Sequence, residues 1–135
     1  MSINLGQLIL TKASSYIGLS EYPGARHNKQ ILAMFSTAGH DWVQDDETPW
    51  CAAFIAEVLA GVGLPHTGRL NARSYLDWGE AVPTGQEKPG DIAVFWRGSR
   101  TADTGHVAIF KGYTSGDEVT VVGGNQGNAV AEGTY

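Results

Sequence analysis

The sequence predicts an α+β domain in which N-terminal helices pack on a C-terminal antiparallel sheet. Apolar residues recur at three- and four-residue spacing in the first half of the chain, and β-rich runs replace them after Pro89-Gly90. Helices and strands do not alternate, which argues against a doubly wound parallel sheet. With 135 residues, of which 42% are hydrophobic and 17% charged, the chain is long enough for one domain with its own core.

Two helices are predicted before residue 40. Residues 3 to 18 carry an apolar stripe typical of an amphipathic helix, and Gly18 stands where such a helix stops. Asn28 is an N-cap residue for a second helix, which ends before Gly39.

The third predicted helix follows a polar loop. Thr48 is predicted as its N-cap and Pro49 as its first residue, because proline loses no hydrogen bond at that position. An apolar stripe then runs from Cys51 to Val62 at helical spacing. A shorter helix is predicted over Asn71–Trp78.

Three strands are predicted in the second half. Turn residues, including Ser115-Gly116, separate segments rich in β-branched and aromatic residues. The predicted strands are Asp91–Trp96, His106–Phe110 and Glu118–Val122.

The charge pattern excludes two classes of partner. The formal net charge is −5, and Lys and Arg form no cluster. Nucleic acid and anionic membranes both require a basic face, so we expect neither as a partner. No apolar segment is long enough to span a bilayer, and no signal-peptide pattern precedes the first helix. We therefore expect synthesis in the cytoplasm.

Cys51 is the only cysteine, so it forms no internal disulfide. In the first turn of a helix, the backbone N–H groups and the helix dipole favour an anion by about 0.3–1 kcal/mol, which stabilises a nucleophilic thiolate. Cys51 also starts an apolar stripe, and lone cysteines are commonly buried and inert. The helix taken alone favours the core interpretation.

His106 shifts that balance. It follows Thr104-Gly105 at the start of a predicted strand, where a rigid element holds the ring, and it is a candidate general base. Antiparallel pairing brings the segment Gly123–Asn128 back beside His106. Asn125 is thus a candidate acceptor for the second imidazole N–H, although a Gly/Asn turn fits the segment equally well.

Four motifs, "TPWCAAF", "KPGDIAVFW", "GHVAIF" and "VVGGNQ", resemble in their order and spacing the CHAP and NlpC-type cysteine peptidases. These are papain-like enzymes that cut amide bonds in bacterial peptidoglycan. The N-terminal "EYPGARHN" resembles the same group, so the resemblance covers nearly the whole chain. It implies a papain-like fold and a single hydrolase domain over residues 1–135.

The resemblance implies Cys51 as the nucleophile, His106 as the general base and Asn125 as the group that orients the imidazole. CHAP enzymes often carry a glutamate two positions before that asparagine, where this sequence has Gly123. NlpC-type enzymes usually use a second histidine as the third member, and none follows His106. The alternatives for the third role are Gln126 and Glu118. In papain-like enzymes the backbone N–H of the nucleophile binds the oxyanion.

Aromatic residues near these motifs are either core residues or the lining of a groove that stacks on sugar rings. The candidates for substrate contact are Trp50, Gln126, Trp96 and Tyr22. The acidic run Asp45–Glu47 is either a calcium loop, as in some CHAP domains, or a solvated loop; it lacks EF-hand spacing. No set of His, Asp and Cys has zinc spacing, so we expect no metal and no other cofactor.

The sequence therefore predicts a peptidoglycan hydrolase that cleaves the N-acetylmuramoyl-L-alanine amide or a bond in the stem or cross-bridge peptide. One alternative is a catalytically silent wall-binding or phage structural module of the same fold. The other is a cysteine peptidase acting on a different amide. We expect a monomer whose partner is peptidoglycan, with an additional domain or an immunity or carrier protein as further candidates. Without a signal peptide, it would reach the wall by phage lysis or by secretion.

Overall fold

A computed structural model describes residues 4–22, 27–43, 49–96, 105–116 and 118–135. The helices are α1 (Leu5–Ser14), α2 (Lys29–Thr37), α3 (Cys51–Gly61) and a 3₁₀ helix (Ala72–Asp77). The strands are β1 (Ile92–Trp96), β2 (Gly105–Ser115), β3 (Glu118–Gln126) and β4 (Ala129–Thr134). The predicted order of helices first and antiparallel strands second is confirmed. None of the helices in these ranges is long and apolar enough to cross a membrane.

Asparagine side chains cap the first two helices. Asn4 accepts a hydrogen bond from the backbone N–H of Gln7 at 3.0 Å, and Asn28 accepts one from Gln30 at 2.9 Å. These bonds satisfy backbone donors that a helix start leaves without an intrahelical acceptor. The predicted cap at Asn28 is confirmed.

Glu57 joins the three α-helices. Its carboxylate accepts hydrogen bonds from Thr37 in α2 at 2.8 Å and from Tyr16, just after α1, at 3.1 Å. Burial, together with the neighbouring carboxylate, raises the pKa of the Tyr16 hydroxyl. A charged group on a buried helix is therefore satisfied by two hydroxyl donors.

The start of α3 differs from the prediction. Cys51 is the first residue of α3 and Trp50 is its N-cap, so Pro49 lies before the helix and is not its first residue. The φ and ψ angles of Trp50 are −126° and 17°, outside the helical region. The predicted cap Thr48 lies outside the described residues. Cys51 thus stands even closer to the helix end than expected.

The sheet is antiparallel with strand order β1-β2-β3-β4. It is larger than predicted, because β3 continues to Gln126 and β4 was missed. Gly127 and Asn128 connect the two strands with φ angles of 62° and 64°, as a two-residue type I′ hairpin requires. The Gly-Asn dipeptide was the sequence signal for this hairpin.

A β-bulge interrupts the pairing of β3 with β4. Gly123 pairs with Ala131 and Gln126 with Ala129, so β3 has one extra residue between these pairs. Asn125 lies in the bulge with a φ of 58°, in the left-handed region that Asn tolerates better than most residues. The bulge reverses the alternation of side chains beyond it.

α3 packs on β3 at a glycine. A Cβ at Gly124 would lie 2.6 Å from Phe54 Cβ and 2.8 Å from Trp50 Cζ3. Trp50, Phe54 and most residues of α3 are buried in the core, which also contains Val107 and Ile109 of β2. The missing side chain at residue 124 therefore allows the first turn of α3 to rest directly on the sheet.

Gly124→Ala tests this close approach. At the distances given above, either α3 or β3 has to move to admit the methyl group. We expect the substitution to lower the free energy of unfolding by about 1–3 kcal/mol, measured by urea denaturation.

Gly112→Ala in β2 is the matched control, because a Cβ there would meet nothing within 4 Å. We expect it to change the free energy of unfolding by less than about 0.5 kcal/mol. An equal loss in both variants would contradict the role assigned to the contact with α3.

Candidate active site

Cys51 and Trp50 form the N-terminal end of α3. The Cys51 side chain is 8% exposed, and that of Trp50 is fully buried. The Trp50 side chain does not cap the helix; its indole N–H donates to Glu21 Oε2 at 2.8 Å. Trp50 therefore has no ring face on which a sugar could stack, and of its two predicted roles the structure supports the core one.

His106 is the second residue of β2, and its side chain is 2% exposed. Its Nε2 lies 2.8 Å from Gln126 Oε1. The Gln126 amide nitrogen donates in turn to the Ala131 carbonyl oxygen at 2.8 Å. The structure thus joins His106 to Gln126, which was one of the predicted alternatives to Asn125.

The Gln126 amide fixes the tautomer of His106. Because its nitrogen faces a carbonyl acceptor at Ala131, its oxygen must be the atom that faces the imidazole. An amide oxygen only accepts hydrogen bonds, so His106 Nε2 carries a proton. In the neutral ring, Nδ1 is then the basic nitrogen.

The β-bulge explains why Gln126 meets the histidine. In a regular strand Gly123 and Asn125 would share one face, and Gln126 would lie on the other. The extra residue in β3 reverses this pattern, so the Gln126 side chain lies over Gly123 on the face that carries His106. The prediction of Asn125 rested on antiparallel pairing and on the family resemblance, and neither of them reveals a bulge.

Two glycines leave room for the Gln126 side chain. A Cβ at Gly123 would lie 2.7 Å from Gln126 Oε1, and a Cβ at Gly133 of β4 would lie 2.8 Å from Gln126 Nε2. The amide therefore occupies a slot that exists because both residues lack side chains. We call Gly123, Gly133 and the amide between them the glycine slot.

Glu118, the other alternative for the third role, is in the wrong place. It starts β3 and pairs with Ser115 at the end of β2, whereas His106 stands at the beginning of β2. Glu118 and His106 are thus at opposite ends of the β2–β3 pair.

Tyr135 and Glu21 are site residues that the sequence did not single out. The Tyr135 ring stacks on His106, with ring centroids 5.7 Å apart and 30° between the planes. No local pattern marked Tyr135, because it follows the missed strand β4. Glu21 stands far from Trp50 in the sequence, and only the folded chain brings its carboxylate to the Trp50 indole N–H.

Cys51 belongs to the helix that packs on the sheet, whereas His106 belongs to a strand of the sheet itself. Val107 and Ile109 belong to the core that includes α3. Side chains alternate along a strand, so His106 points to the opposite face, where Phe95 is its neighbour across the β1–β2 pair. The two candidate catalytic residues are thus held by different elements, Cys51 by the start of α3 and His106 by the start of β2.

Two of the predicted substrate-contact residues are exposed. Trp96 is 52% exposed at the end of β1, opposite Gly105 and next to Phe95. Tyr22 is 45% exposed and follows Glu21, which holds Trp50. Both rings are accessible to a large substrate.

A groove of about 590 Å³ lies along β1. It is lined mainly by apolar side chains, and Cys51, His106 and Gln126 are not among them. Burial raises the pKa of Tyr75 in its wall, and a hydrogen bond from the Tyr113 hydroxyl at 2.6 Å lowers the pKa of the Glu87 carboxyl.

No group of three or more metal-ligating side chains occurs among the described residues. The run Asp45–Glu47, considered above as a calcium loop, lies outside them.

Comparison with protein families matches the CHAP domain to residues 43–125. No curated protein and no solved structure matches the chain. CHAP domains are in general hydrolases, amidases or peptidases that act on peptidoglycan. The match includes Cys51, His106 and Asn125 and stops one residue before Gln126. Because it covers more than half of the 135 residues, the chain belongs to the CHAP domain family.

Proposed function

We propose that this CHAP domain is a papain-like cysteine hydrolase that cleaves an amide bond of bacterial peptidoglycan. The bond is either the N-acetylmuramoyl-L-alanine amide or a peptide bond of the stem or cross-bridge. Cys51 acts as the nucleophile, His106 as the general base and acid, and Gln126 as the residue that orients the imidazole.

The observation that carries the proposal is the pairing of His106 Nε2 with Gln126 Oε1 at 2.8 Å. Gln126 is only two residues beyond Gly124, on which the first turn of α3 rests. One short segment of β3 therefore positions both the helix that bears the thiol and the partner of the imidazole. Such convergence on one rigid element is what nucleophile–base catalysis requires.

The position of Cys51 favours a thiolate. It is the first residue of α3, and the N-cap residue Trp50 makes no side-chain hydrogen bond to the helix. The dipole of α3 stabilises a negative charge at this end, and Cys51 as a residue is 8% exposed.

The proposed reaction has two halves. The Cys51 thiolate attacks the amide carbonyl carbon, and the backbone N–H of Cys51 stabilises the oxyanion. Collapse of this intermediate breaks the C–N bond, the imidazolium of His106 gives its proton to the leaving amine, and a thioester remains. His106 then takes a proton from water, the hydroxide attacks the thioester carbonyl carbon, and the C–S bond breaks. A carboxylic acid leaves, and Cys51 and His106 return to the thiolate–imidazolium pair.

The position of Gln126 weakens the case for a catalytically silent module. That alternative rested on Gly123, where CHAP enzymes often carry a glutamate. Here the Gln126 amide fills the space where a side chain at residue 123 would begin. Its oxygen accepts the imidazole N–H that a carboxylate from residue 123 would accept. The polar partner of the histidine is supplied from another position, so catalysis does not require a glutamate at residue 123.

Trp96 and Tyr22 are proposed substrate contacts. Their rings are exposed, and each is adjacent in sequence to a residue that contacts the site. Aromatic faces stack on the apolar faces of sugars and on peptide groups, which suits the mixed chemistry of peptidoglycan.

Cys51→Ala tests the nucleophile. We expect complete loss of hydrolysis of purified peptidoglycan, because alanine cannot form a thioester. The variant should keep the circular dichroism spectrum of the wild type, since the substitution is small and lies at a helix end. Mass spectrometry of the wild-type products identifies the bond that is cut. Amidase cleavage leaves a free carboxyl on muramic acid, whereas endopeptidase cleavage leaves new termini within the peptide, and the product masses differ. A folded Cys51→Ala variant with wild-type activity would rule out the mechanism.

Gln126→Leu and Asn125→Gly together test the third role. Leucine leaves the His106 N–H and the Ala131 carbonyl without the amide, so we expect a loss of about 1–3 kcal/mol in stability and a fall of about 100-fold in kcat. Glycine at residue 125 keeps the positive φ without strain, so kcat should stay within about twofold of wild type. The opposite pattern would assign the third role to Asn125.

Alkylation of Cys51 by iodoacetamide distinguishes the enzyme from a silent module. At mildly acidic pH an isolated thiol is protonated and reacts slowly, whereas a thiolate paired with an imidazolium reacts fast. We expect fast labelling of the wild type and slow labelling of His106→Ala, followed by intact mass. Equally slow labelling of both proteins would favour the silent module.

A further inference from the structure

We propose that Tyr135 is a positioning residue for His106. Tyr135 holds the imidazole in its Nε2–H tautomer, both by stacking on the ring and by bonding to Gln126. The inference rests on the proposed function, in which His106 Nδ1 is the base. Tyr135 lies outside the residues matched to the CHAP domain.

Tyr135 covers the imidazole and its neighbour. Its ring centroid is 5.7 Å from that of His106 and 4.7 Å from that of Phe95, with interplanar angles of 30° and 20°. Phe95 and His106 are cross-strand partners, so one tyrosine ring stacks on two adjacent rings on the same face of the sheet. Contacts of this geometry restrict rotation of the imidazole.

The Tyr135 hydroxyl reaches the same acceptor as the imidazole. It donates to Gln126 Oε1 at 3.3 Å, while His106 Nε2 lies 2.8 Å from that oxygen. With the amide nitrogen bound to Ala131, all polar atoms of the Gln126 side chain have partners. An amide held at both ends cannot flip and present its nitrogen to the histidine.

The path of the Tyr135 side chain depends on the glycine slot. The backbone of Tyr135 makes two hydrogen bonds of 2.9 Å with Val119, well away from His106 along β3. The side chain runs back across β4, where a Cβ at Gly133 would lie 3.3 Å from Tyr135 Cε2. The same glycine therefore admits both Gln126 and Tyr135.

Tyr135 shields the hydrogen bond between His106 and Gln126 from water. Tyr135 is 44% exposed, while His106 beneath it is 2% exposed. One part of the tyrosine thus faces solvent while another shields the bond between the imidazole and Gln126. A hydrogen bond shielded from water is stronger, because water no longer competes for its donor and acceptor. Removing the ring would admit water to Nε2–H and allow the other tautomer, in which Nδ1 carries the proton and is not a base.

The variants Tyr135→Ala and Tyr135→Phe separate this role from a purely structural one. We expect Tyr135→Ala to lower kcat by about tenfold or more, with KM changed by less than about twofold. The loss should not exceed the roughly 100- to 10,000-fold that general base catalysis contributes in all. Tyr135→Phe keeps the ring and should retain most of kcat. Tyr113→Ala is the matched control, because it removes an exposed tyrosine of the same sheet whose hydroxyl donates to Glu87.

Nitrogen-15 NMR of the histidine side chains gives a readout that does not depend on activity. The His106 signals, assigned by their loss in His106→Ala, should show the Nε2–H tautomer with a slowly exchanging proton in the wild type and in Tyr135→Phe. In folded Tyr135→Ala that proton should exchange fast or the tautomers should mix. Should Tyr135→Ala fail to fold, Tyr135→Leu is measured in its place.

Two results would overturn the inference. One is an unchanged Nε2–H signal and unchanged kcat in the folded variant without the ring. The other is a rise in KM alone, which would make Tyr135 a substrate contact. If the wild type cleaves no peptidoglycan, the proposed function fails, and the NMR signal still decides whether Tyr135 holds His106.

Discussion

The contact between α3 and the backbone of Gly124 is the constraint on which the rest of the site depends. Trp50 and Phe54 reach the sheet at a position where any side chain would collide with them. The end of α3 that carries Cys51 is therefore fixed relative to β3 and not to a loop. Trp50 is held in addition by its hydrogen bond to Glu21, whose backbone N–H donates to Asn128 at the β3–β4 hairpin. The start of α3, the segment at Glu21 and the β3–β4 hairpin are thus connected by hydrogen bonds.

Sequence patterns were sufficient for the class of fold and for the main elements. The helical stripe after Cys51, the cap at Asn28 and the strands beginning near Asp91 and His106 depend on local spacing and local hydrogen bonds, which can be read from the chain. The missed strand β4 is short, and its alternation is weak because Gly133 and two alanines replace large apolar residues. Its signal was the Gly-Asn dipeptide, which forms the two-residue turn between β3 and β4.

The side chain that bonds to His106 could not be predicted in the same way. Whether residue 125 or residue 126 faces the histidine depends on the number of residues between two hydrogen-bonded pairs, and one extra residue reverses the answer. The positive φ of Asn125 accompanies that extra residue, and asparagine also occurs in ordinary turns. Spacing from Cys51 and His106 carries no information on the bulge. Only the fold decides it.

The glycine slot shows how the side chain of residue 126 can reach the imidazole. A glycine in a strand costs about 0.5–1 kcal/mol relative to alanine, so two of them on one face are unfavourable unless something uses the space. Here the Gln126 amide uses it, with its oxygen on His106 and its nitrogen on Ala131. What the imidazole requires is an oxygen at hydrogen-bond distance from Nε2, from whichever residue the backbone delivers it. The family match ends at residue 125, immediately before Gln126. The family match therefore does not include Gln126, and only the fold shows that its amide oxygen contacts His106.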